Sequence, residues 1–158
     1  MNLKYFLLAG ILAFLACATI SKPAAQVCTS VKQNLETALE ERLKPMPDVA
    51  KWKWCHKKPV FDAAREEQVL NDATQKGAQR GLSESVVRDF FQKQMDQAKA
   101  IQSKVIDGLK EDPIDCSLYS TDGLNQIREQ ISRNTEHILK NLEVLNKMKC
   151  LDSIQQDL

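Results

Sequence analysis

The residues best equipped for chemistry crowd into one stretch. From Arg42 to Arg65 stand seven basic side chains (Arg42, Lys44, Lys51, Lys53, Lys57, Lys58, Arg65) and two acidic ones (Asp48, Asp62), a local charge of +5. A run of lysines usually forms a solvated face. Arg42, Lys53 and Arg65 differ, because each adjoins positions expected to point inward. Arg42 and Lys53 are eleven residues apart, about three helical turns, so on a continuous helix they face the same way. Asp62 and Glu66, four apart, share a helix face with Arg65 beside them. Further on, Gln102 shares with Ala98 a face that is otherwise apolar; a glutamine there is more often exposed or bonded to backbone than catalytic. Guanidinium groups suit bidentate capture of carboxylates, so this set reads as a cationic pocket. The alternative for Lys53, flanked by Trp52 and Trp54, is a surface cation–π contact.

Other catalytic sets are poor. His56 and His137 are the only histidines, and neither has a metal-binding partner at useful spacing. Cys55 beside His56 evokes a thiolate nucleophile, but a disulfide is the better reading. No Gly-rich phosphate loop and no GxSxG occur.

These side chains need a scaffold, and 158 residues provide one domain. With 22 basic and 21 acidic residues, the balance lacks the basic excess of nucleic-acid binders and of polybasic membrane-surface proteins. Five Gly and five Pro are too few for collagen-like or low-complexity chains, and 43% apolar residues argue against disorder.

The first residues stand apart. Lys4 precedes an apolar run from Tyr5 to Ala16, followed by small residues at 16–18, the layout of a secretory signal peptide. Residues 1–18 are expected to be cleaved, with Ala25 as the alternative end and 26–158 as one helical domain. The run is too short for a comfortable membrane span, and its surroundings fit a lipid anchor at Cys17 poorly. The mature protein is then expected to be secreted, extracellular or periplasmic, and free of the membrane. Removing Lys4 leaves 21 basic and 21 acidic residues, net zero. Removing Cys17 leaves Cys28, Cys55, Cys116 and Cys150, an even set that suggests two disulfides with three connectivities.

Spacing predicts an all-α helical bundle without strands. The first helix spans Val27 to Leu43 and stops at Pro45 and Pro47; Asp48 to Trp54 restarts it after a kink. Asp62 caps a second helix running to about Gln79, closed by Gly81, with Val69, Leu70 and Ala73 inward. Ser83 opens a third, striped by Val87, Phe90, Phe91, Gln94, Ala98, Ile101, Val105 and Leu109, which ends at Asp112-Pro113. A loop to Ser120 leads to a last helix, about Asp122 to Lys149, striped by Leu124, Ile127, Ile131, Ile138, Leu142, Leu145 and Met148.

Together these features resemble a known family. Glu41-Arg42-Leu43, Val49-Ala50-Lys51-Trp52-Lys53-Trp54 and Pro59-Val60-Phe61-Asp62-Ala63-Ala64-Arg65-Glu66 are similar to the all-helical chorismate mutases. Gln68-Val69-Leu70, Phe90-Phe91-Gln92-Lys93-Gln94-Met95 and Ala98-Lys99-Ala100-Ile101-Gln102 resemble their secreted, gamma class. The likeness covers roughly residues 31 to 145. It implies an enzyme that rearranges chorismate to prephenate with no metal or cofactor, often as a homodimer. Arg42, Lys53 and Arg65 match cations that hold the substrate, Asp62 and Glu66 match carboxylates near its ring hydroxyl, and Gln102 matches the donor to its ether oxygen. A further arginine at the start of a later helix matches Arg128, with Arg133 as the alternative. Ala98 departs from the pattern, since many members carry a hydroxyl there. The likeness also orders the cysteines: Cys55 and Cys116 fall near the site, while Cys28 and Cys150 lie about 21 and 33 Å along their helices from Arg42 and Arg128. The expected pairs are Cys28–Cys150 and Cys55–Cys116. The competing reading is a secreted helical interaction protein that keeps the fold without catalysis.

Overall fold

The computed structural model describes residues 24–151. The signal segment expected over 1–18 and Cys17 lie outside them; the alternative cleavage at Ala25 falls in the first turn of a helix. Five α-helices follow one another: α1 (Ala24–Leu43), α2 (Met46–Cys55), α3 (Ala63–Ala78), α4 (Glu84–Glu111) and α5 (Thr121–Lys147), with a 3-10 turn at Cys116–Leu118 before α5. The described residues contain no strand, and the fold is all-α.

The prolines do less than a helix breaker usually does. Pro45 is the N-cap of α2 and Pro47 lies in its first turn, where a missing N–H breaks no helical bond. The chain therefore restarts at once: the amides of Asp48 and Val49 donate to the Pro45 carbonyl. So α2 begins at Met46, two residues before the expected Asp48, and α1 runs into it as one bent rod. Asp62 caps α3 as expected, its carboxylate accepting the Arg65 amide at 3.0 Å. Gly81, with φ +74°, ends α3 by letting the Leu82 amide donate back to the Gly77 carbonyl, the left-handed C-terminal closure that favours glycine. The ends of α2 and α5 close the same way but through Lys57 (φ 53°) and Lys149 (φ 57°).

Helix α1 packs chiefly on α5, while α2 and α3 pack on α4. The larger core joins Leu35 and Leu39 of α1, Leu70 of α3, Val87 and Phe91 of α4, and Ile138, Leu142 and Leu145 of α5. Thr135, absent from the expected α5 stripe, is also buried; its hydroxyl donates to the Ile131 carbonyl at 2.9 Å. A second, smaller cluster of Met46, Val49, Ala98 and Leu124 sits between α2, α4 and α5.

Helices α3 and α4 touch closely at Gly77. A Cβ there would lie 2.6 Å from Val87 Cγ2, and Val87 is fully buried. Gly77→Ala should therefore destabilise by about 1–3 kcal/mol through overpacking, despite the better helix propensity of alanine. A thermal melt followed by circular dichroism checks it; an unchanged or higher Tm would refute the tight contact.

The cysteines pair Cys28 with Cys150 and Cys55 with Cys116, at Cα–Cα distances of 6.2 and 5.3 Å. The first joins the start of α1 to the residues after α5. The second ties the end of α2 to the 3-10 turn.

Candidate active site

One cavity of about 150 Å³ opens between α2, α3, α4 and the first half of α5. Its apolar wall is the smaller core cluster: Met46, Val49, Ala98 and Leu124, with Trp52 and Ile131. Arg42, Lys53, Asp62, Arg65, Glu66, Gln102 and Arg128 all line it. The five helices thus bring to one place side chains that lie up to 86 positions apart in the chain, from 42 to 128.

Arg42 and Gln102 form the buried part. Arg42, 3% exposed, lies over the Phe91 ring with its guanidinium carbon 5.6 Å from the centroid. Its Nε has no hydrogen-bond partner, and burial lowers its pKa to about 10. Gln102 is buried too, unlike the usual glutamine on such a face. Its Nε2 donates to the Met46 sulfur at 3.5 Å, and its Oε1 accepts from nothing. A thioether is a weak acceptor, so this amide is readily redirected.

Lys53 is half-buried and donates to the Val60 carbonyl at 2.7 Å, leaving its other two N–H groups available. This corrects the cation–π expectation for Trp52 and Trp54: the cation–π contacts of the described residues are Arg42 over Phe91 and Lys99 over Phe61. Burial lowers the Lys53 pKa; Asp62 and Glu66 oppose that shift and Arg128 adds to it.

The mouth carries Asp62, Arg65 and Arg128, all exposed. Asp62 is occupied by its capping bond, and Arg65 donates to the Gln68 side chain at 2.8 Å. Partial burial, and then the nearby Arg65, lower the Arg128 pKa, while Asp62 opposes the shift. Arg133 does not reach the cavity and faces Glu129 at 3.9 Å.

Two lining residues were not singled out by the sequence. Lys99 bridges Glu66 at 2.9 Å and Asp96 at 3.0 Å, while Glu66 Oε1 stays buried and unpartnered. Trp52 contributes a buried, unpartnered indole N–H. Its ring stacks on His56 at 4.1 Å, and Cys55 is locked in its disulfide, so the Cys–His pair is structural. No group of three His, Cys, Asp or Glu residues with metal-binding geometry occurs among the described residues, and none of their helices is long and apolar enough to cross a membrane.

Comparison with known proteins points to the same segment. Residues 29–103 match the family model of chorismate mutase type II; six of the seven residues above fall within that match, and Arg128 lies beyond it. A monofunctional chorismate mutase of Enterobacter agglomerans is 38% identical over 69 residues, which cover 44% of this chain and 38% of that protein. The alignment therefore spans well under half of that relative's length.

Proposed function

We propose that the protein is a chorismate mutase of the secreted, gamma class, converting chorismate to prephenate without metal or cofactor. The observation that carries this reading is Arg42: a buried cation with an unpartnered Nε at the wall of a cavity lined by further cations. Such a group is half of an ion pair, and a substrate carboxylate completes it.

Chorismate carries two carboxylates and rearranges in one concerted step, so the protein supplies no nucleophile. It must hold the folded conformer and stabilise the ether oxygen as its C–O bond breaks. Arg42 and Arg128 clamp the carboxylates, with Arg65 supporting them at the mouth. Lys53 and Gln102 aim donors at the oxygen that gains charge. Asp62 and Glu66 flank the ring hydroxyl, one of them accepting its proton in a hydrogen bond, and the apolar wall excludes water. Each donor to a developing oxyanion contributes roughly 3–4 kcal/mol; two, with conformational restraint, reach the approximately 8 kcal/mol that marks the lower end of enzymatic acceleration. Ala98 offers no hydroxyl, so this enzyme works with one polar contact fewer than many relatives.

Loss of chorismate absorbance on adding the purified mature chain tests the proposal. A folded protein without turnover overturns it in favour of a helical interaction protein. Residues 1–18 direct export in this reading, and two disulfides suit an oxidising compartment; a mature N-terminus at Thr19 checks the cleavage.

Lys53, together with the buried Arg42 whose pKa is lowered to about 10, sets the alkaline pH behaviour. Lys53 acts only while protonated, and in the free protein burial pulls its pKa below the ordinary 10.5. A bound dianion favours the cation and moves that pKa back up. The alkaline limb of kcat should therefore lie at higher pH than that of kcat/KM, which report the bound and free enzyme respectively. Coincident limbs would exclude Lys53 as the titrating donor.

A further inference from the structure

The cavity walls hold five cations (Arg42, Lys53, Arg65, Lys99, Arg128) and two carboxylates (Asp62, Glu66). An anion-binding cavity with an inward carboxylate is a conflict, most acute at Glu66. Asp62 accepts its capping bond from the Arg65 amide, but Glu66 Oε1 is buried with no partner. What offsets its charge is on the other helix. Lys99 of α4 reaches across to Glu66 Oε2 at 2.9 Å, and is itself held by Asp96 at 3.0 Å and by the Phe61 ring, 5.5 Å from its ammonium. Three partners from two helices and a loop fix one flexible side chain, more than a solvated lysine requires.

We propose that Lys99 is a positioning residue that determines which ligands the cavity admits: by occupying Glu66 Oε2 it offsets the charge of a carboxylate in the cavity wall, leaves Oε1 as an unpartnered acceptor, and so lets a dianion enter. This inference rests on the chorismate mutase reading and adds to it a residue that acts through Glu66 rather than on the reacting atoms. Of the other charged groups lining the cavity, Lys53 on α2 interacts electrostatically with Glu66 but donates to the Val60 carbonyl, Asp62 caps α3, and Arg65 on α3 donates to Gln68; Arg42 and Arg128 complete the lining.

The test is a double-mutant cycle in chorismate turnover with Lys99→Met, Lys99→Arg, Glu66→Gln and the pair Lys99→Met/Glu66→Gln, each checked for helicity. Lys99→Met is expected to raise KM roughly tenfold with a smaller change in kcat, because an unbalanced carboxylate opposes bound substrate and transition state alike. Lys99→Arg should restore KM to within about threefold of wild type. In the Glu66→Gln background, Lys99→Met should change KM by less than about twofold, since the charge it offsets is gone. An unaltered KM in Lys99→Met, with active wild type, overturns the inference and leaves the enzyme reading standing. The same KM increase with and without Glu66→Gln also overturns it, because Lys99 would then act alone. A folded wild type without turnover overturns both.

Discussion

Lys53→Ala is expected to lower kcat by about a hundredfold to a thousandfold, the loss typical of removing one donor to a developing oxyanion. KM should move less, since carboxylate binding is assigned to the arginines. The reason is geometric. One N–H of Lys53 is spent on the Val60 carbonyl at 2.7 Å, which fixes the long side chain before substrate arrives, so the remaining N–H groups are already aimed when charge develops. Preorganised donors need no rearrangement during the reaction, which is why they act so strongly. Steady-state kinetics with chorismate, beside a circular dichroism spectrum, decide the matter. A loss confined to KM would place Lys53 on a carboxylate instead, and a loss below tenfold would remove it from the reaction.

Arg42→Met should have two opposite effects. Activity should fall by roughly a hundredfold to a thousandfold in kcat/KM, as for losing one side of a buried ion pair with ligand. Stability should rise. The Arg42 pKa, lowered by burial to about 10, means the folded state holds its charged form at a penalty of roughly 3 kcal/mol at neutral pH. The sign is fixed: a depressed cation destabilises the fold at every pH below about 10, and the penalty fades only as pH rises through that value. Methionine is unbranched and apolar and packs well beside aromatic rings, here Phe91. A gain of about 1–3 kcal/mol, several degrees in Tm, is expected. A lower Tm would mean that Arg42 is a structural residue and that the cavity is not primed for an anion.

Much of the architecture was legible because its helices are amphipathic. The α4 and α5 stripes repeat at three- and four-residue steps, and Val87, Phe91, Ile138, Leu142 and Leu145 duly form the core. The boundaries were less so, for specific reasons. Pro45 and Pro47 read as terminators, yet at a helix start proline fits without loss. The ends of α2 and α5 carry lysine rather than glycine in left-handed backbone, so the sequence places them only to within a residue or two, at Trp54 against Cys55 and at Lys149 against Lys147. Of the site, Arg42 and Lys53 line one cavity, as their eleven-residue spacing suggests, because both prolines sit at the start of α2 and interrupt the helical path only briefly. Lys99 escaped notice because a lysine on the flank of an amphipathic helix looks solvated, and its partner Glu66 lies 33 residues away. Thr135 was missed because its polarity hides it from an apolar stripe.

The two cross-links also change what a cut in the chain means. Cys28 and Cys150, 122 residues apart, make nearly the whole described chain a covalent ring, and Cys55 and Cys116, 61 apart, nest a smaller one inside it. The exposed adjacent pair Lys57-Lys58 is an obvious point of attack for a trypsin-like peptidase, and it falls within both rings. Cleavage there releases no fragment: the segment bearing Lys53 stays tied through Cys55 to the turn that leads into Arg128, and α1 stays tied to the residues after α5. A nicked molecule keeps its cavity residues in reach of one another, so damage at this loop is survivable in surroundings rich in peptidases.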